Sequence, residues 1–137
     1  MRSVFVEPSV LLLAIGEEHP LREPCRRVLS AAARGEVRLH MSVEGGQEFL
    51  FHRLRRATLE EALADFDDID KVVVWHPFDV DVLRRARELV ATGRVRGRDA
   101  VHAATALLHG FDELISCDAD FDGVPGLRRV DPSAAPF

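Results

Sequence analysis

The sequence predicts an α/β fold around a central, mainly parallel sheet of four or five strands, and three observations carry that expectation. Short runs rich in β-branched and aromatic residues alternate with longer amphipathic stretches along the whole chain. Helix-capping residues and glycine stops stand at most of the junctions. The length, 137 residues of which 47% are hydrophobic and 30% charged, suits one core and not two ordinary domains.

In order, Ser3 to Glu7 (SVFVE) is a buried-strand pattern. Pro8 opens a helix that Val10 to Ile15 continue and Gly16 stops. A second helix covers Arg22 to Arg34, with Cys25, Val28, Leu29 and Ala32 on one face and Gly35 as its stop. Val37 to Met41 is the next strand. Ser42 caps a helix to about Arg56, striped by Val43, Gln47, Leu50 and Leu54. Thr58 and Glu61 have capping-box spacing. The helix they open carries Asp65, Asp67, Asp68 and Asp70 towards its C-terminus, where the macrodipole disfavours acids, so early fraying is expected. Val72 to Trp75 is a third strand. Asp79 caps a helix over Val80 to Thr92, closed by Gly93. Arg98 to His109 is a further helix, with Val101, Ala104, Thr105 and Leu108 on one stripe. Glu113 to Ser116 and Leu127 to Val130 are the last strand patterns. The expected unit is one domain over residues 1–132, followed by a loose Pro/Ala-rich tail, Ser133 to Phe137.

The net charge of −5 excludes a basic coat for nucleic acid, though not a local basic patch. Cys25 and Cys117 are the only cysteines and form no CxxC pair, so they read as buried free thiols in a reducing compartment. The apolar run Val10 to Ile15 lacks the flanks and cleavage site of a secretory signal, and no stretch is long enough to span a bilayer. A cytosolic, membrane-free protein is the expectation.

In an open parallel sheet, ligands gather beyond the carboxyl ends of the strands. Glu7 ends the first strand, Asp118 follows the fourth, and Asp99 lies in the first turn of its helix. Glu44 and Glu48 share a face early in the helix after the second strand. Acids from four segments can thus converge on one edge. Such a cluster needs a counter-charge, and Mg²⁺ or Mn²⁺ suits oxygen ligands. A cation of that kind activates water and offsets charge on a phosphoryl oxygen, which makes phosphodiester hydrolysis the natural chemistry. Each acid also has a plain structural reading. Glu48 alone reads as an exposed helix residue, Asp99 as a favourable N-terminal charge, and Asp118, Asp120 and Asp122 as turn formers. Glu7 is the hardest to explain that way, because a buried acid is costly without a partner.

The stretch GRDAVHAATALLHGFDELISCDADFDGVPGLRRVDP, Gly97 to Pro132, resembles the PIN-domain nucleases and, within them, the VapC-type toxins of toxin–antitoxin modules. SVEGGQEFLF, from Ser42, resembles that family's second acidic segment, and VFVEPSVLL, from Val4, its opening motif. The resemblance covers nearly the whole chain. It implies a PIN-like three-layer α/β/α fold and a metal-dependent endoribonuclease acting on structured RNA such as tRNA or rRNA. It also implies a homodimer and a VapB-like antitoxin. Residue by residue, Glu7, Glu48, Asp99 and Asp118 take the catalytic positions, and Glu7, Asp99 and Asp118 those of metal ligands. Asp120 is an alternative to Asp118, Glu44 an addition to Glu48, and Ser9 the hydroxyl that orients the first carboxylate.

Two features depart from the family pattern. Glu7-Pro8 stands where Asp, often followed by Thr, is usual, and the extra methylene extends the carboxylate by about 1.5 Å. Gly45-Gly46 interrupts a helix at about 1 kcal/mol each relative to Ala. The pair either permits close backbone approach or softens the helix that carries Glu48.

All but one of the 18 Lys and Arg residues are arginine, whose planar fork binds phosphate bidentately. Arg94, Arg96 and Arg98 lead directly into Asp99 and are candidates for an RNA backbone contact; a solvated loop is the competing reading. His102 lies one turn after Asp99, placed to orient an acid, contact phosphate or make a structural hydrogen bond. Zinc-ligand spacing, a Walker loop, GxGxxG and a nucleophile elbow are all absent. A catalytically impaired RNA- or protein-binding module is the alternative that Glu7-Pro8 suggests. A phosphate-accepting receiver domain is a third, disfavoured because it lacks an early acidic pair.

Overall fold

The computed structural model describes Met1–Phe137. Five parallel strands alternate with six helices: β1 Arg2–Phe5, α1 Pro8–Ile15, α2 Arg22–Ala33, β2 Val37–Ser42, α3 Val43–Arg56, α4 Leu59–Asp70, β3 Val73–His76, α5 Val80–Ala91, α6 Gly97–Leu108, β4 Glu113–Ile115 and β5 Arg128–Val130. β2 lies between β1 and β3, with Val4 opposite Leu39 and Met41 opposite Trp75. β4 pairs with β5. An isolated bridge between Val6 and Ile115, with Glu7 N–H donating to the Ile115 carbonyl at 3.0 Å, joins the two pieces. The strands therefore run β3–β2–β1–β4–β5, the parallel α/β architecture that the alternation predicts.

Strand alternation sends side chains to two cores. Val4, Val6, Leu39, Met41 and Val73 meet α1, α2, Phe49 of α3 and Ile69 of α4. Phe5 and Leu114 meet α5 and α6 through Val82, Ala86, Leu89, Val101 and Ala104. The small residues of α6 let it lie close to the sheet: Ala100, Ala103, Ala104 and Ala106 are all buried. No helix is long and apolar enough to cross a membrane.

The capping chemistry sits where the side chains place it. Ser42 accepts from Gly45 N–H at 3.0 Å, Asp79 accepts from Val82 N–H at 3.0 Å, and the Thr58–Glu61 capping box is complete. Three expectations need correction. β1 ends at Phe5, and Glu7 is not a strand residue but the N-cap of α1. α4 does not fray early but runs to Asp70. Two of its acids have partners outside the helix: Asp65 pairs with Arg53 at 3.0 Å, and Asp70 accepts from Trp75 Nε1 at 2.7 Å, while Ile69 is anchored in the core. The tail is not loose. Pro132 is buried, Ser133 N–H donates to Asp131 at 2.9 Å, Phe137 packs on the core, and the Arg2 guanidinium lies 6.0 Å from its ring centroid.

Gly45-Gly46 serves close approach. A Cβ at position 45 would lie 2.8 Å from Met41 Cγ, and one at position 46 would lie 2.8 Å from Trp75 Cζ3. The helical propensity lost at these two positions lets α3 sit against β2 and β3, which sets the depth of Glu48.

Candidate metal centre

Glu7 stands where β1 hands over to α1, at the carboxyl edge of the sheet. It is 5% exposed. Its Oε1 accepts from Ser116 Oγ at 2.8 Å, from Ser9 N–H at 3.3 Å and from Ser9 Oγ. Its Oε2 accepts no protein hydrogen bond and remains available to a ligand. Burial raises the carboxyl pKa above the ordinary value, and the nearby Glu48 adds to this. The bonds from Ser9 and Ser116 and the proximity of His102 oppose the shift without cancelling it.

Glu48 projects from the second turn of α3, and His102 of α6 reaches it across the sheet edge. His102 is fully buried, with Nδ1 2.8 Å from Ser42 Oγ and Nε2 2.9 Å from Glu48 Oε2. An ionised Glu48 only accepts, so His102 Nε2 carries a proton and donates to it, while Nδ1 faces the Ser42 hydroxyl that also caps α3. Burial pushes the Glu48 pKa up, but the bond and charge of His102, with Arg98 and His52 beyond, bring it below the usual range. One ligand atom each from Glu7, Glu48 and His102 lies within 4.8 Å of the others.

Asp99, Asp118 and Asp120 form a second such set within 4.8 Å. Asp99 sits in the first turn of α6. Asp118 caps a short 3-10 turn over Ala119–Phe121 by accepting from Asp120 N–H at 2.9 Å, and its own N–H donates to Ser116 Oγ at 3.0 Å. Ser116 thereby ties the two sets together. The Asp99 pKa is raised, first by burial, then by Asp118, with smaller contributions from Glu48 and Asp120, while His102 opposes the shift.

The chain thus brings Glu7, Glu48, Asp99 and Asp118 to one edge in two adjoining sets. Asp120 stands beside Asp118, and Ser9 and His102 contact the acids. Glu44 joins neither set. Arg94, Arg96 and Arg98 are exposed and make no ion pair, and of the three only Arg98 influences the Glu48 charge. Sequence reasoning missed Ser116, and saw Ser42 only as a helix cap. A serine two residues before the expected fourth acid was the available signal for Ser116.

The donor set tests what the site can hold. Five carboxylates and one imidazole offer mainly hard oxygen ligands with no thiolate, and two of the acids carry pKa values raised by burial and by neighbouring acids. Mg²⁺ or Mn²⁺ fits these donors, and a closed structural zinc site does not.

Residues 4–127 match the family model described as PIN domain. VapC ribonuclease Mb1869c of Mycobacterium bovis is 30% identical over 132 residues, covering 93% of this chain and 98% of that protein. Ribonuclease VapC7 of Mycobacterium tuberculosis is 31% identical over 139 residues, covering 96% and 93%. Among solved structures, VapBC2 of Rickettsia felis bound to a promoter DNA fragment superposes with a TM-score of 0.74 at 16% identity, covering 93% of this chain and 97% of that one. Mycobacterium tuberculosis VapC20, a Sarcin-Ricin loop cleaving toxin, does so at 0.71 and 20% identity, covering 91% and 98%. A family match over most of the chain, with VapC ribonucleases as full-length relatives and the same fold beneath them, makes this protein a member of the PIN-domain family.

Proposed function

We propose that the protein is a VapC-type toxin, a metal-dependent endoribonuclease that hydrolyses phosphodiester bonds in structured RNA such as tRNA or rRNA. The observation that carries this reading is the convergence of Glu7, Glu48, Asp99 and Asp118, from four segments, on one edge of a parallel sheet. Glu7, Asp99 and Asp118 would hold Mg²⁺ or Mn²⁺, with Glu48 and Asp120 beside them. The bound cation supplies an activated nucleophile and offsets charge on the scissile phosphate. Ser9 and Ser116 fix one oxygen of Glu7 and leave the other free. His102 holds Glu48 ionised and oriented. The unpaired Arg94, Arg96 and Arg98 lie next in sequence to Asp99 and suit contacts with the RNA backbone. The VapBC complexes among the structural neighbours support a VapB-like antitoxin as partner; a homodimeric toxin of the cytoplasm belongs to the same proposal.

Cleavage of a total tRNA and rRNA pool, with Mn²⁺, Mg²⁺ or chelator, tests this reading beside Asp99→Asn. Discrete products that need both the cation and Asp99 are expected. A folded, antitoxin-free protein that binds RNA and yields none would leave the impaired binding module.

A further inference from the structure

Cys25 and Cys117, separated by 92 positions in sequence, place their Sγ atoms 3.5 Å apart. Cys25 is fully buried on α2, and Cys117 is partly exposed just beyond β4. Two thiols at that distance need about 1.5 Å of closure to reach a disulfide bond length. Both sulfurs already face each other, so the closure is a side-chain movement with a small backbone adjustment.

The backbone of Cys117 is part of the acidic site. Its N–H donates to Ser9 Oγ at 3.2 Å, the same hydroxyl that contacts Glu7. Ser116 on one side bonds Glu7, and Asp118 on the other belongs to the second acid set. Arg129 Nη1 donates to the Ser116 carbonyl at 3.0 Å and braces the segment from behind. A movement of Cys117 towards α2 therefore pulls on residues that hold two of the acids.

We propose that Cys25 and Cys117 form a reversible dithiol–disulfide site, oxidised by a hydroperoxide, that loosens the acidic site when closed. The sulfur of the partly exposed Cys117 attacks one peroxide oxygen. An S–O bond forms, the O–O bond breaks, and the leaving oxygen departs as water (or as an alcohol, from an alkyl hydroperoxide). Cys25 then attacks the sulfenic sulfur. The S–S bond forms, the S–O bond breaks, and a second oxygen leaves as water with the Cys25 proton. Each thiol sulfur gives up one electron, and the two peroxide oxygens take up both. Cytosolic disulfides of this type are transient and redox-sensing. Mg²⁺ tolerates little deviation from ideal geometry, so a displacement of Asp118 and Ser116 weakens its site.

The test is brief treatment of the reduced protein with hydrogen peroxide, followed by thiol alkylation and intact mass. Loss of about two mass units, with both thiols blocked, a linked Cys25–Cys117 peptide and full reversal by dithiothreitol, is the expected result. Oxygen adducts on Cys117 with Cys25 still free, or a disulfide between two chains, would overturn it. Cys25→Ser should accumulate a Cys117 sulfenic acid that dimedone traps, and wild type should not. Should Cys25→Ser misfold, Cys117→Ser serves instead, with its remaining Cys25 inert to peroxide. The effect on the acidic site rests on the metal reading above and is read separately, by Mn²⁺ titration calorimetry. Tenfold weaker binding in the oxidised form, restored on reduction, is expected, and equal binding in both forms would overturn the coupling. A reduced protein that binds no Mn²⁺ would remove the metal reading and the coupling with it. The thiol chemistry would still be decided by the mass measurement.

Discussion

His102 donates from Nε2 to Glu48 Oε2 at 2.9 Å while its other nitrogen is engaged by Ser42 at 2.8 Å, and the ring is wholly buried between them. The imidazole is therefore held in one orientation, and its Nε2–H holds the Glu48 carboxylate ionised at the sheet edge. His102→Ala should lower Mn²⁺ affinity or turnover by about 10–100-fold in a folded protein. His102→Gln, whose amide can replace the donor at Nε2, should recover part of that loss. Equal activity in wild type and His102→Ala would remove the positioning role.

Glu7 fits its seat, which bears on whether it weakens the site. Three bonds converge on its Oε1, and shortening the side chain by one methylene withdraws the carboxylate by about 1.5 Å from Ser116. Glu7→Asp should therefore reduce RNA cleavage and Mn²⁺ affinity several-fold. A marked gain in cleavage would instead identify Glu7-Pro8 as an impairment and favour the binding-module reading.

Asp99 has a folded-state pKa above its ordinary value, caused first by burial and then by Asp118. Across the window between those two values the folded protein holds more protons than the unfolded chain. Stability from this group is thus present at low pH and lost as pH rises through the folded pKa. At neutral pH, without added cation, Asp99→Asn should raise the melting temperature, and the difference should narrow towards pH 4. The same variant should lose the melting-temperature increase that Mn²⁺ gives wild type. A lower melting temperature for the variant in chelator would contradict this electrostatic account.

His76 behaves with the opposite sign. Its pKa is pushed down to about 4 by burial, then by the charges of His109 and His40. Its ring centroid lies 4.0 Å from that of His109, and its Nε2 lies 2.9 Å from His40 Nδ1. Between about pH 6.5 and 4 the unfolded chain binds the extra proton. Stability is present above that window and lost as pH falls through it. Imidazole NMR should show a ring titrating near the lower limit, and His76→Asn should flatten the acid side of the melting curve. A His76 ring titrating at its ordinary value would refute the packing argument.

Gly46→Ala should destabilise the protein by about 1–3 kcal/mol, because the new Cβ would lie 2.8 Å from Trp75 Cζ3. The single tryptophan reports the displacement directly, through a shift in its fluorescence maximum. An unshifted spectrum with unchanged stability would show that α3 does not depend on this close approach.

Local chemistry determined much of this protein. Ser42, Thr58 with Glu61, and Asp79 start their helices where their side chains satisfy free N–H groups, and Pro8 opens α1 with a preset φ and no N–H to satisfy, a matter of a few neighbouring residues. The parallel sheet followed from the alternation of patterns, and four of its edge acids from the rule that ligands gather beyond the carboxyl ends of strands. What tertiary structure alone decided were relationships between distant segments. Macrodipole arguments expected the acidic end of α4 to fray, yet Arg53 and Trp75 supply partners to Asp65 and Asp70. Propensity made Gly45-Gly46 a liability, yet Met41 and Trp75 occupy the space that side chains there would fill. Ser116 ties Glu7 to Asp118 because β1 and β4 are neighbours in space, and Cys25 meets Cys117 because α2 packs beside that junction. Capping and periodicity act over one or two turns and are written in sequence. Contacts across the sheet depend on strand order and helix depth, which only the packed chain sets.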